Sequence, residues 1–178
     1  MAAECEHALA REAATESMKG LTHPPWRLEE ITQANAARVL PALAASFLAN
    51  GDKAVRPETS ELKLHAFRLN AKEFRYTLEA FRPLYGPALD RHIANVRRVQ
   101  TVLGDLNDCR ATADLLGRFD EVAAVEVEQL RQFLEGRKGE LRAKFVELWG
   151  TSYGDEKARQ ALTRYLRTRV AGVPAADL

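Results

Sequence analysis

Between residues 62 and 81 the chain reads LKLHAFRLNAKEFRYTLEAF, and Leu64, Phe67, Ala71, Phe74, Leu78 and Phe81 recur at the spacing of one buried helix face. Leu89, Ile93, Val96, Val99, Leu103 and Leu106 keep a heptad-like period in the next segment. Leu130, Leu134, Leu141, Phe145 and Leu148 supply a third apolar stripe. These patterns predict helices over residues 3–19, 27–49 (with Pro41 as a kink or break), 61–82, 89–104, 107–116, 121–149 and 156–170. Thr59 or Ser60, Asn107 and Asp120 are natural N-caps, and Gly20, Gly117, PLYGP and GTSYGD are stops. NGDKAVRPETS, residues 50–60, reads as a loop, and THPPW breaks the chain before it. No stretch alternates as a strand does.

Short connections between long amphipathic helices make consecutive helices antiparallel neighbours. The expected fold is therefore all-α, an antiparallel up-and-down helical bundle with additional terminal helices. The bundle occupies residues 27–150, after an N-terminal helix and Pro-containing linker (1–26) and before a basic helix and tail (151–178).

Composition agrees: 46% hydrophobic and 29% charged residues, with only 10 Gly and 7 Pro in 178, describe a helical globular chain with a real core. The net charge of +1 gives no bulk attraction to nucleic acid or membrane. No secretory leader or run of 18 apolar residues is evident, and the two cysteines, Cys5 and Cys109, form no CxxC. A cytoplasmic protein with reduced thiols is expected. The charge is nevertheless segregated, with eight Lys and Arg against three acidic residues between 62 and 98.

His65, Arg68, Lys72 and Arg75 fall at i, i+3, i+7 and i+10, the spacing a helix ordinarily gives to buried residues. At about 100° per residue they occupy an arc of roughly 80° beside the apolar one. Glu79 falls within that arc and Tyr76 just beyond its edge, so the cations border the core and line a groove between helices. One reading makes them flanking residues with ordinary salt bridges. The other makes the groove an anion site, because Glu79, Asp105 and Asp108 are too few to neutralise it.

HAFRLNAKEFRYTLEAF followed by VQTVLGDLND resembles the signature of the CHAD (conserved histidine α-helical domain) family. His65, Arg68, Lys72, Arg75, Tyr76 and Glu79 match its first motif helix, and Gln100, Leu103, Gly104, Asn107 and Asp108 match its second. The resemblance covers residues 28–149 and is greatest to the C-terminal half of the family's double four-helix bundle. Glu73 departs from the pattern, standing where a further basic residue is usual. The resemblance implies an all-helical fold whose basic cavity binds inorganic polyphosphate, association with polyphosphate granules, and no catalysis. The motif occurs once where the family domain has two facing copies, so a homodimer is expected to complete a two-sided cavity.

The residue chemistry suits that ligand class. Arg68 and Arg75 can grip phosphate oxygens bidentately, Lys72 acts as a point charge, His65 adds a pH-dependent contact and Tyr76 a neutral donor. Arg97 shares a face with Gln100, Gly104, Asn107 and Asp108, which leaves open a groove contact or a salt bridge to Asp108. Arg131, Lys138 and Arg142 flank an apolar face of the long helix and are further candidates for the same groove. The alternatives are an interaction module for an acidic partner segment and a binder of nucleic-acid backbone. The latter is disfavoured because the stripe lacks interleaved stacking aromatics. A single E-x-x-H at Glu4–His7, no Gly-rich phosphate loop and no nucleophile motif argue against an enzyme, a metal site or a cofactor.

Overall fold

Five helices carry the described chain: α1 (Thr32–Ala54), α2 (Glu61–Tyr85), α3 (Leu89–Leu116), α4 (Ala124–Tyr153) and α5 (Glu156–Thr168). The computed structural model describes residues 20–117 and 124–170. The helix expected over 3–19, the Asp120 cap and the chain beyond residue 170 lie outside the described residues. Helices α1 to α4 pack each against the next, and α5 folds back onto α1. No strand occurs among the described residues, so the fold is the expected all-α bundle.

Phe47 of α1 is the hub of the core. Phe67 and Phe74 of α2 stack on it at 5.4 and 4.8 Å, and Trp149 and Tyr153 of α4 meet it edge-on at 5.5 and 5.7 Å. The apolar stripes read from the sequence are the buried faces: Leu64, Phe67, Ala71, Phe74 and Leu78 on α2, and Ile93, Val96, Val99, Leu103 and Leu106 on α3. Ser60 caps α2 by accepting from the Lys63 backbone amide, and Asp155 caps α5 through that of Lys157. Gly86, at φ 74°, has the positive φ that glycine adopts most readily, where the chain turns from α2 into α3.

Helix boundaries shift where tertiary contacts override local signals. The segment expected as a loop from residue 50 is helical to Ala54. Asn50 donates to Asn70 at 2.7 Å inside the bundle. Gly51 lies under the Trp149 ring, where an added Cβ would stand 1.9 Å from the nearest indole carbon. Asp52 accepts from Trp149 Nε1 at 3.0 Å and from both terminal nitrogens of Arg159 at 2.6 Å. Burial pushes the Asp52 carboxyl up, but the bonds from Arg159 and Trp149 and the guanidinium charge outweigh it and hold it below its ordinary value.

At the other end of α1, the helix begins at Thr32 rather than Arg27. The buried Asn35 side chain bonds both the amide and the carbonyl of Arg27, at 2.9 and 2.7 Å, and holds residues 27–30 as a turn. Helix α2 continues to Tyr85, whose buried hydroxyl donates to the Leu166 carbonyl at 2.6 Å. Helix α4 continues through GTSY because Trp149 and Tyr153 are core residues.

The largest correction concerns α3. The two helices expected over 89–104 and 107–116 are one, Leu89–Leu116. Gly104 is mid-helix, and the Asn107 side chain reaches across to α2 rather than capping its own helix.

Candidate functional site

Helices α2 and α3 run antiparallel in a register fixed by polar pairs. His65 meets Asn107 at 2.7 Å, Arg97 donates to Glu79 at 3.1 Å, and Arg82 grips Asp90 with two bonds of 2.5 and 2.8 Å. Gly104 lies opposite Arg68, whose Nε would be 3.8 Å from an added Cβ. The two sequence motifs, one on each helix, therefore face each other along the α2–α3 seam. The missing side chain of Gly104 leaves room for the Arg68 guanidinium against the α3 backbone.

The charges along this seam are unequal. Among the described residues, neither Arg68 nor Lys72 makes an ion pair, and Asp105 and Asp108 pair with none of the groove cations. Arg75 and Arg97 share one carboxylate, Glu79, at 3.3 and 3.1 Å. The salt bridge considered between Arg97 and Asp108 is replaced by this one. Four cations thus face a single acid. The Nε atoms of Arg68 and Arg75 are buried without a hydrogen-bond partner, as is the Gln100 carbonyl oxygen. Each is a polar group removed from water without compensation.

Tyr76 supports the row through its ring. The Arg75 guanidinium lies 4.5 Å and the Lys72 ammonium 5.7 Å from the ring centroid, within cation–π range. That contact favours gathered cations without neutralising them. His65 donates Nδ1–H to the Asn107 amide oxygen, which fixes the imidazole plane at the groove wall.

The candidates from the long helix are placed differently. Arg142 donates to the carbonyls of Arg56, Pro57 and Thr59 at 2.8–2.9 Å, tying the α1–α2 connection to α4. Lys138 bridges Glu61 and Glu135 at 2.8 and 2.6 Å. Burial alone would lower its pKa, but the two carboxylates raise it above the ordinary lysine value. Arg131 and Lys138 line a recess of about 560 Å³ with Arg110, Glu61, Glu128 and Glu135, beyond the His65 end of the row. Its mixed charges contrast with the cations of the α2 row. Arg110, three residues after Asn107, was not among the sequence candidates, although that spacing puts it on the same helix face. Its Nε is buried and unpartnered, while a terminal nitrogen pairs with Asp114 at 3.2 Å. No group of three or more metal-ligating side chains occurs among the described residues. None of the described helices is long and apolar enough to cross a membrane.

An all-α bundle in which two paired helices each carry one of two sequence-linked motifs is the class of protein these observations define. The chain matches the family model of the CHAD domain over residues 2–117, and it belongs to that family. The match takes in α1, α2 and α3 with both motifs, and stops before α4, short of the residue 149 expected from the motifs. CHAD domains are associated in general terms with polyphosphate binding. Comparison with curated proteins and with solved structures returns no significant match.

Proposed function

We propose that this protein binds inorganic polyphosphate, without catalysis, in the groove between α2 and α3. The observation that carries the reading is the uncompensated charge: among the described residues, Arg68 and Lys72 have no carboxylate partner, and Arg75 and Arg97 divide one. A linear polyanion meets such a row with several consecutive negative units, which no single small anion can do. Arg68 and Arg75 supply planar forks for phosphate oxygens, Lys72 a mobile point charge, and His65 and Tyr76 flanking contacts. Helical rise spreads His65 to Arg75 over about 15 Å, long enough for several phosphate units in a row. Association with polyphosphate granules follows as the cellular counterpart of this binding.

Among the described residues, nothing beside the groove supplies a nucleophile next to a base or a set of metal carboxylates, the two usual routes to phosphoanhydride cleavage. Binding is therefore the assigned role, and polyphosphate should be recovered intact. The decisive experiment replaces Arg68, Lys72 and Arg75 together with Ala and titrates long-chain polyphosphate by filter binding. Binding should be abolished while the circular-dichroism spectrum remains helical. A folded triple variant that binds as the parent does would remove the site. Competition with RNA at matched salt distinguishes polyphosphate from nucleic acid, and salt-insensitive capture of an acidic peptide that survives Lys72→Ala would favour a protein-interaction role.

A further inference from the structure

On the far side of α3 from the groove, a cavity of about 570 Å³ opens between α3, the end of α4 and α5. Arg91, Asn95 and Arg98 line it at i, i+4 and i+7, roughly 100–160° around the helix from Arg97. Among the described residues, no Asp or Glu contributes to its lining. Arg91 has no ion-pair partner among the described residues, and Arg98 donates only to the Asn95 amide oxygen, at 2.6 Å. Both side chains therefore line the same pocket, and neither forms an ion pair among the described residues.

The floor carries a second, independent signal. Tyr153 is 4% exposed and its hydroxyl has no hydrogen-bond partner, and the Oγ of its neighbour Ser152 is likewise buried and unpartnered. Two adjacent orphan hydroxyls are costly, because burial takes them from water without supplying a partner. Burial pushes the Tyr153 phenol well above its ordinary pKa, while the nearby Arg98 charge acts in the opposite sense, so it stays a proton donor. Leu162, Ala158, Ala161 and the Tyr165 ring form an apolar wall facing these donors.

We propose that this pocket is a second anion site, independent of the groove, that binds the phosphoryl group of a small molecule. Arg91 and Arg98 meet its charge, and the hydroxyls of Tyr153 and Ser152 donate to its oxygens. The cavity is larger than a phosphate ion, and its apolar wall suits a small organic body attached to it. Free inorganic phosphate and a monophosphate ester share the recognised chemistry.

The test uses full-length protein carrying Arg68→Ala, Lys72→Ala and Arg75→Ala, so that the groove is silent. Inorganic phosphate and phenyl phosphate are titrated calorimetrically. One saturable site per chain is expected, and Arg98→Gln and Tyr153→Phe should each weaken it by about tenfold or more, as loss of a hydrogen bond to a charged group does. Tighter binding of phenyl phosphate would identify an ester, and equal binding free phosphate; either supports the site. Tyr153→Phe keeps the ring and its packing, and should raise the Tm of the ligand-free protein by removing the orphan hydroxyl. Absence of saturable binding by both probes, or affinities unchanged by both variants, would overturn the proposal. Because the groove is disabled throughout, this result stands apart from the polyphosphate assay.

Discussion

The His65 imidazole on α2 and the Asn107 amide on α3 meet at 2.7 Å across the groove, joining residues 42 positions apart in sequence. Each belongs to one of the two motifs, so the bond sets the register in which the motifs face each other. His65→Ala and Asn107→Ala should each lower stability and weaken polyphosphate binding. The double variant should lose less than the sum. A double-mutant cycle by urea denaturation is expected to give a coupling of about 0.5–1.5 kcal/mol, the ordinary net worth of one such bond. Strict additivity would mean that the bond does not form in solution.

Gly104 provides a steric prediction. The Arg68 Nε would stand 3.8 Å from a Cβ at this position, an ordinary contact. Gly104→Ala should therefore leave polyphosphate affinity within about twofold and, by raising helix propensity, stabilise α3 slightly. Gly104→Leu would fill the space taken by the guanidinium and displace it. It should weaken polyphosphate binding several-fold with the helical spectrum retained, as measured by filter binding and circular dichroism.

Much of this architecture was legible in the chain because the periods of the apolar residues are strong. The buried stripes of α2 and α3 and the cationic arc beside them follow from helical geometry alone. The boundaries were less legible, because their causes lie far off in sequence. Gly51 reads as a loop former until Trp149 is seen to cover it, and Asn107 reads as a cap until His65 takes its amide. Arg97 shows the same limit for the site: its partner is Glu79 on the neighbouring helix, not Asp108 on its own. Arg142 and Lys138 flank an apolar face as their spacing indicates, yet their partners are loop carbonyls and carboxylates. Spacing places a side chain on a face. It cannot say what the opposite face presents.

Salt should weaken polyphosphate binding steeply, since groove cations displace counterions condensed on the polyanion. By analogy with single- and double-stranded nucleic acids, log K falls with log salt by roughly 0.7–0.9 per neutralised phosphate. Contacts from Arg68, Lys72, Arg75 and Arg97, with or without His65, give an expected slope of about −3 to −4.5. Lys72→Ala alone should make the slope shallower by about one unit or slightly less. A slope near zero in filter-binding titrations between low and physiological salt would exclude an electrostatic groove.

His92 makes folding stability respond to mild acid. Its ring packs beside Tyr165 at 5.7 Å, and burial, with a smaller push from the Arg91 charge, lowers its pKa to about 4. The unfolded chain, with an ordinary histidine near 6.5, takes up the proton first as pH falls. The contribution of neutral His92 is therefore fully present above about pH 6.5 and is lost as pH drops toward 4. One proton corresponds to a slope of at most about 1.4 kcal/mol per pH unit, and solvent screening at this partly exposed ring reduces it. Urea denaturation between pH 6.5 and 5 should show this loss, and His92→Gln should flatten it.

The last prediction concerns assembly. The chain carries the basic motif helix once, and a two-fold dimer would set two copies of α2 across a single cavity. Two positive stripes repel, so the contact must rest on apolar surface away from them. Such surface is available at the α3–α4 end: Leu115 is 51% exposed, Val125 67%, Leu130 40% and Phe133 65%. Large apolar side chains this open, on consecutive helices, are candidates for an interaction face. The protein should therefore scatter light as a dimer at tens of micromolar, and short-chain polyphosphate should tighten the dimer by neutralising the cavity. Phe133→Asp should return it to one chain without loss of helicity. A particle of single-chain mass both with and without polyphosphate would exclude the dimer and leave each chain with an open, one-sided groove.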